Sequence, residues 1–86
     1  MQPENRIVAI KAAVNSKYVC AENGGASSLI ANRNVAQIWE KFELSFYEQG
    51  RVALRSLANG KYVCAENAGS LPLIANRNKV GPWELF

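Results

Sequence analysis

A chain of 86 residues, 49% apolar and 20% charged, has room for one small domain and none for a two-domain enzyme, since a domain commonly takes roughly 100–200 residues. Ten Lys and Arg against seven Glu leave a net charge of +3, and the cations are scattered among the glutamates rather than gathered in a stripe, which argues against nucleic acid as a partner. Neither His nor Asp occurs, so the usual general base, the commonest metal ligand and the acid of most triads are missing together; a non-enzyme without cofactor or metal is expected.

In chain order, Ile7–Ala12 is short and opens on β-branched residues, and reads as a strand. Asn15-Ser16 follows, a dipeptide that tolerates positive φ and signals a hairpin, and Lys17–Ala21 is the return strand. Glu22–Gly25 reads as a second turn, Leu29–Asn32 as a third strand, Arg33-Asn34 as a polar turn and Trp39–Leu44 as a fourth strand. The series then recurs as Val52–Arg55, Asn59-Gly60, Lys61–Ala65, Glu66–Gly69, Leu73–Asn76 and Arg77-Asn78, and closes on Trp83-Glu84-Leu85-Phe86. No run approaches the roughly 18–20 apolar residues that span a bilayer, and the first residues lack the basic start and apolar run of a signal peptide. A soluble chain without a membrane partner, cytoplasmic by default, is the expectation.

The recurrence is an internal duplication with a constant offset of 44 positions. Asn-Ser-Lys-Tyr-Val-Cys-Ala-Glu-Asn at 15–23 returns as Asn-Gly-Lys-Tyr-Val-Cys-Ala-Glu-Asn at 59–67, and Leu-Ile-Ala-Asn-Arg-Asn at 29–34 returns unchanged at 73–78. Of the 37 positions aligned between 6–42 and 50–86, 20 are identical. One domain spanning 1–86 is expected, with unit 1 at about 7–50 and unit 2 at about 51–86.

A four-stranded unit of this length carrying Lys-Tyr-Val-Cys-Ala-Glu-Asn, then Leu-Ile-Ala-Asn-Arg, then Trp-Glu-x-Phe resembles the repeat of the fascin-like β-trefoil family, which includes actin-bundling fascins and modules found beside bacterial polysaccharide-degrading enzymes. The resemblance covers about Ile7 to Phe86 and implies an all-β, β-trefoil-like fold. A complete trefoil has three such units, whereas two are present, so an open barrel with unpaired strand edges is implied. Self-association would fill the gap. An exchanged trimer is favoured because three chains carry six units, enough for two trefoils; a dimer with rearranged strands or a longer parent chain are alternatives.

An indole face matches the apolar C–H face of a sugar ring, so Trp39 and Trp83 could stack on one; but each stands beside a Phe, and the resemblance implies that they belong to the interior, together with Val8, Ile10, Val19, Leu29, Ile30, Phe42, Leu44, Val52, Leu54, Val63, Leu73, Ile74 and Phe86. Cys20 and Cys64 are expected as reduced, buried thiols. The polar residues kept in both units, Tyr18, Glu22, Asn23, Asn32 and Arg33 with Tyr62, Glu66, Asn67, Asn76 and Arg77, allow two readings. They line two shallow pockets that bond sugar hydroxyls, or they shape turns, with each arginine paired to Glu40 or Glu84. The Asp and Gln-x-Trp of ricin-type trefoil lectins are missing. The leading functional expectation is a non-enzymatic carbohydrate (polysaccharide)-binding module acting as an oligomer; the alternative is a fascin-like actin or filament-binding, or structural assembly, module.

Overall fold

In a computed structural model describing residues 5–86, the first apolar run does not form one strand but two, β1 (Arg6–Ala9) and β2 (Lys11–Ala12), divided at Ile10. The Ile10 carbonyl there accepts a hydrogen bond from the Val19 amide at 2.8 Å. The chain turns through Ser16, whose φ is 57°, and returns as β3 (Lys17–Ala21). A kinked turn at Glu22–Gly25, with Asn23 and Gly24 in the left-handed region, leads to β4 (Leu29–Arg33). Unit 1 ends in a 3-10 turn, Ile38–Glu40, and β5 (Lys41–Phe46). Unit 2 supplies β6 (Val52–Ser56), β7 (Tyr62–Ala65) and β8 (Leu73–Arg77), followed by a 3-10 turn at Pro82–Glu84. The protein is all-β, with two antiparallel sheets ordered β1-β5-β6-β7-β8 and β2-β3-β4.

The fourth strand of unit 1 thus begins two residues later than Trp39, where the sequence places its start. The reason is a carboxylate: the Glu40 side chain accepts from the Gln37 amide at 2.8 Å and folds the intervening residues into a helical turn. Glu84 does the same to the Gly81 amide at 2.6 Å, helped by Pro82, whose fixed φ suits the first turn of a helix.

The β3–β4 and β7–β8 hairpins of the two units pair in the same register. Tyr18 opposes Arg33 and Val19 opposes Ala31, just as Tyr62 opposes Arg77 and Val63 opposes Ala75. In each hairpin one asparagine, Asn32 or Asn76, is the extra residue of a bulge. Val8 pairs with Phe42, and Val52 exchanges two backbone hydrogen bonds with Phe86, at 2.7 and 2.8 Å.

The units meet where β5 runs beside β6, with Phe42 opposite Ser56 and Phe46 opposite Val52. The buried cluster Ala21, Phe42, Val63 and Ala75 sits at this joint, drawing two residues from each unit, with Val8, Ile10, Val19, Leu29 and Leu54 packed against it. Several expected interior residues lie outside it. Ile30 is 50% exposed although its counterpart Ile74 is half-buried at the joint, and Leu73 and Phe86 are 38% and 40% exposed. Trp39 and Trp83, expected inside, are 37% and 41% exposed, since the 3-10 turn that buries Glu40 and Glu84 carries the preceding indole outward.

Candidate functional site

The bulge decides the chemistry of each unit. In a regular strand Asn32 and Arg33 would point to opposite faces; the extra residue lets both reach the same carboxylate. Glu22 accepts from the Asn32 amide at 2.5 Å and from the Arg33 guanidinium at 2.8 Å. The other edge of Arg33 lies 3.9 Å from the Glu40 carboxylate, which is only 4% exposed. Unit 2 repeats the cluster: Arg77 reaches Glu66 at 2.6 Å and Glu84 at 3.9 Å, and Asn76 donates to Glu66 at 3.4 Å.

Each buried thiol lies against these carboxylates. Cys20 and Cys64 are free and fully buried. Burial, and then hydrogen bonding to Glu40 in one unit and to Glu84 and Glu66 in the other, pushes both thiols up to about 12. Such groups stay protonated in neutral water and act as donors rather than nucleophiles. Cys64 donates to Glu66 at 3.2 Å; this bond, followed by those from Asn76 and Arg77, holds the Glu66 carboxyl below the usual carboxylate range.

Of the ten residues singled out by duplication, Glu22, Asn32 and Arg33 are brought together, as are Glu66, Asn76 and Arg77. Asn23 and Asn67 instead occupy the left-handed region, with φ of 57° and 53°, in the turns that aim the glutamates. Tyr18 and Tyr62 are half-buried on the hairpins, and the Lys11 ammonium stands 5.6 Å from the centre of the Tyr18 ring.

An opening lies just beyond the unit 1 cluster. A cleft of about 530 Å³ runs along Arg33, Asn34, Val35, Gln37, Ile38 and Trp39 down to Glu40. It offers one half-exposed indole, the free part of a guanidinium, two side-chain amides and apolar walls, which are the surfaces an oxygen-rich ring compound requires. The matching positions of unit 2 read Lys79 for Val35, Gly81 for Gln37 and Pro82 for Ile38, so the two units do not present the same lining. Sequence reasoning missed this cleft because the Trp-Glu pair repeats in both units and so reads as interior. Its signal lay in the residues that do not repeat, Gln37 and Ile38. Among the described residues no group of three or more His, Cys, Asp or Glu is placed to hold a metal. Compared with known proteins, the chain matches no family model and no curated sequence.

Proposed function

We propose that this protein is a non-enzymatic carbohydrate-binding module of the fascin-like β-trefoil kind, working as an oligomer and taking a polysaccharide segment in the cleft of Arg33–Glu40. The observation that carries this reading is the half-exposed indole of Trp39 beside a guanidinium and two amides in an open cleft. A pyranose would stack its C–H face on the indole while Gln37, Asn34 and Arg33 bond its hydroxyls. Glu22 and Asn32 hold Arg33 in place rather than meeting the sugar. Single shallow sites of this kind bind weakly, and an assembly carrying several of them gains avidity. Three chains hold six units, the number needed for two closed three-unit barrels.

NMR titration with neutral and acidic polysaccharides tests this reading. Resonances of 33–40 are expected to shift, and Trp39→Ala to abolish the shifts while Trp83→Ala leaves them. Silence across the panel, or equal loss in both variants, overturns the cleft assignment. A filament-binding reading draws on Lys41, Arg51 and Lys79, which are exposed and form no ion pair among the described residues. Salt-sensitive co-sedimentation with actin would favour it over a sugar ligand.

A further inference from the structure

The joint between the units has two halves, and each half also occurs once uncovered. At the joint, Gly25 of unit 1 abuts Asn59 of unit 2 so closely that a Cβ on the glycine would fall 2.1 Å from the amide nitrogen. The matching glycine of unit 2, Gly69, has nearly the same backbone, φ 95° against 96°, but nothing within 4 Å of its Cβ position. The residue matching Asn59 is Asn15, which is exposed.

The rest of the joint follows suit. Ala53 and Ala75, which unit 1 covers, are fully buried, whereas their counterparts Ala9 and Ala31 are exposed and half-buried. Ile74 is half-buried in a joint lined also by Gly24 and Gly25, while Ile30 is 50% exposed. Val14, in the turn before β3, is 94% exposed, and β1 has no second neighbour strand among the described residues. At this turn unit 1 therefore presents a bare copy of the surface that unit 2 uses, and unit 2 a bare copy of the turn that unit 1 uses, while β5 has no counterpart strand in unit 2 among the described residues. These two surfaces are complementary, because their duplicates are seen in contact.

We infer that the Glu66–Gly69 turn of one copy docks on Asn15 and β4 of another copy, as the Glu22–Gly25 turn of unit 1 docks on Asn59 and β8 of unit 2 within the chain. Asn15 then seats against Gly69 and Ile30 is covered. The contact is head-to-tail, pairing two different surfaces, and a face-to-face dimer does not satisfy it. This deepens the assembly part of the proposed function and is independent of the sugar cleft.

Disulfide trapping tests the contact. Ala26 and Asn59 line one small cleft at the joint, and their counterparts are Ser70 and Asn15. Asn15→Cys and Ser70→Cys chains carrying different tags are mixed and oxidised; Cys20 and Cys64, being buried, stay unreactive. The expected product is the mixed-tag disulfide in clear excess over either self-pair. An Ala26→Cys/Asn59→Cys chain should close the same bond internally. Independently, Ile30→Arg should return the solution mass to that of a single chain with an unchanged circular dichroism spectrum, while Ile38→Arg, outside the contact, leaves the mass as in the wild type. Self-pairs equal to or exceeding the mixed pair, or an unchanged mass in Ile30→Arg, overturn the inference.

Discussion

Ala31 and Ala75 stand at the same place in the two units, each opposite a valine in the same register, yet Ala75 is fully buried and Ala31 is only half so. Gly25 and Gly69 differ in the opposite direction, the glycine of unit 1 being buried and that of unit 2 exposed. Inside the units nothing comparable separates the pair: the Glu22–Arg33 and Glu66–Arg77 bonds, the bulges and the buried thiols coincide. What a residue does within its unit is thus fixed by local pairing, and how deeply it is buried is fixed by which neighbour unit it meets. The joint is the region where the duplicated chain acquires a single interior.

The largest expected consequence concerns Phe42 and Phe86. Phe42 is fully buried, so Phe42→Ala should cost about 3–5 kcal/mol in denaturant unfolding. Phe86 is 40% exposed, and Phe86→Ala should cost about 1–2 kcal/mol on the apolar area it covers. If copies dock head-to-tail, the gap narrows as protein concentration rises, because association adds stability by mass action. Equal costs at every concentration would remove the distinction between the two ends.

The glycine pair sharpens the comparison. Gly25→Ala and Gly69→Ala both place a side chain at positive φ, a strain of about 1 kcal/mol in each. Only Gly25→Ala also displaces Asn59, whose amide donates to the Ala75 carbonyl at 2.9 Å, which adds about 1–2 kcal/mol. If copies dock head-to-tail, Gly69→Ala should weaken association, since Asn15 of the next copy would lie where the new methyl points.

Much of the fold was legible because the duplication is written in the same letters twice. The hairpins and the Glu22–Gly25 and Glu66–Gly69 turns follow from alternation and from residues that accept positive φ. The Trp39 and Trp83 indoles were misplaced because nothing in a Trp-Glu dipeptide announces that the carboxylate will fold back on the amide three residues earlier and turn the ring outward. Ile30 and Leu73 were misplaced for a different reason: their burial depends on a neighbouring unit, which alternation within a strand does not encode. The Glu22–Arg33 pair was likewise hidden, since its geometry depends on a bulge at Asn32 that makes two successive side chains converge.

An ion pair across the joint offers a smaller test. Arg55 donates twice to Glu43, at 2.9 and 2.6 Å, and these bonds hold the Glu43 carboxyl below its ordinary value of 4.5. A carboxyl lowered on folding contributes stability that is present above its ordinary value and is lost as pH falls through the folded value. Glu43→Gln should therefore cost about 0.5–1 kcal/mol at neutral pH and flatten the acid limb of a stability profile. The counterpart of Arg55 in unit 1 is Lys11, which rests over Tyr18 instead; Lys11→Gln should change stability by less than about 0.5 kcal/mol. The smallest expected difference lies between the thiols. With both pushed up to about 12 and fully buried, Cys20 and Cys64 should be alkylated slowly and at similar rates, only as the chain opens.

The mass of the chain in solution, followed by light scattering across a range of concentrations, bears most directly on the joint as a repeated interface. A mass rising above the 9.5 kDa of one chain as concentration increases is predicted, because each copy carries both halves of a contact already formed inside it. A mass that stays at one chain at every concentration would contradict it.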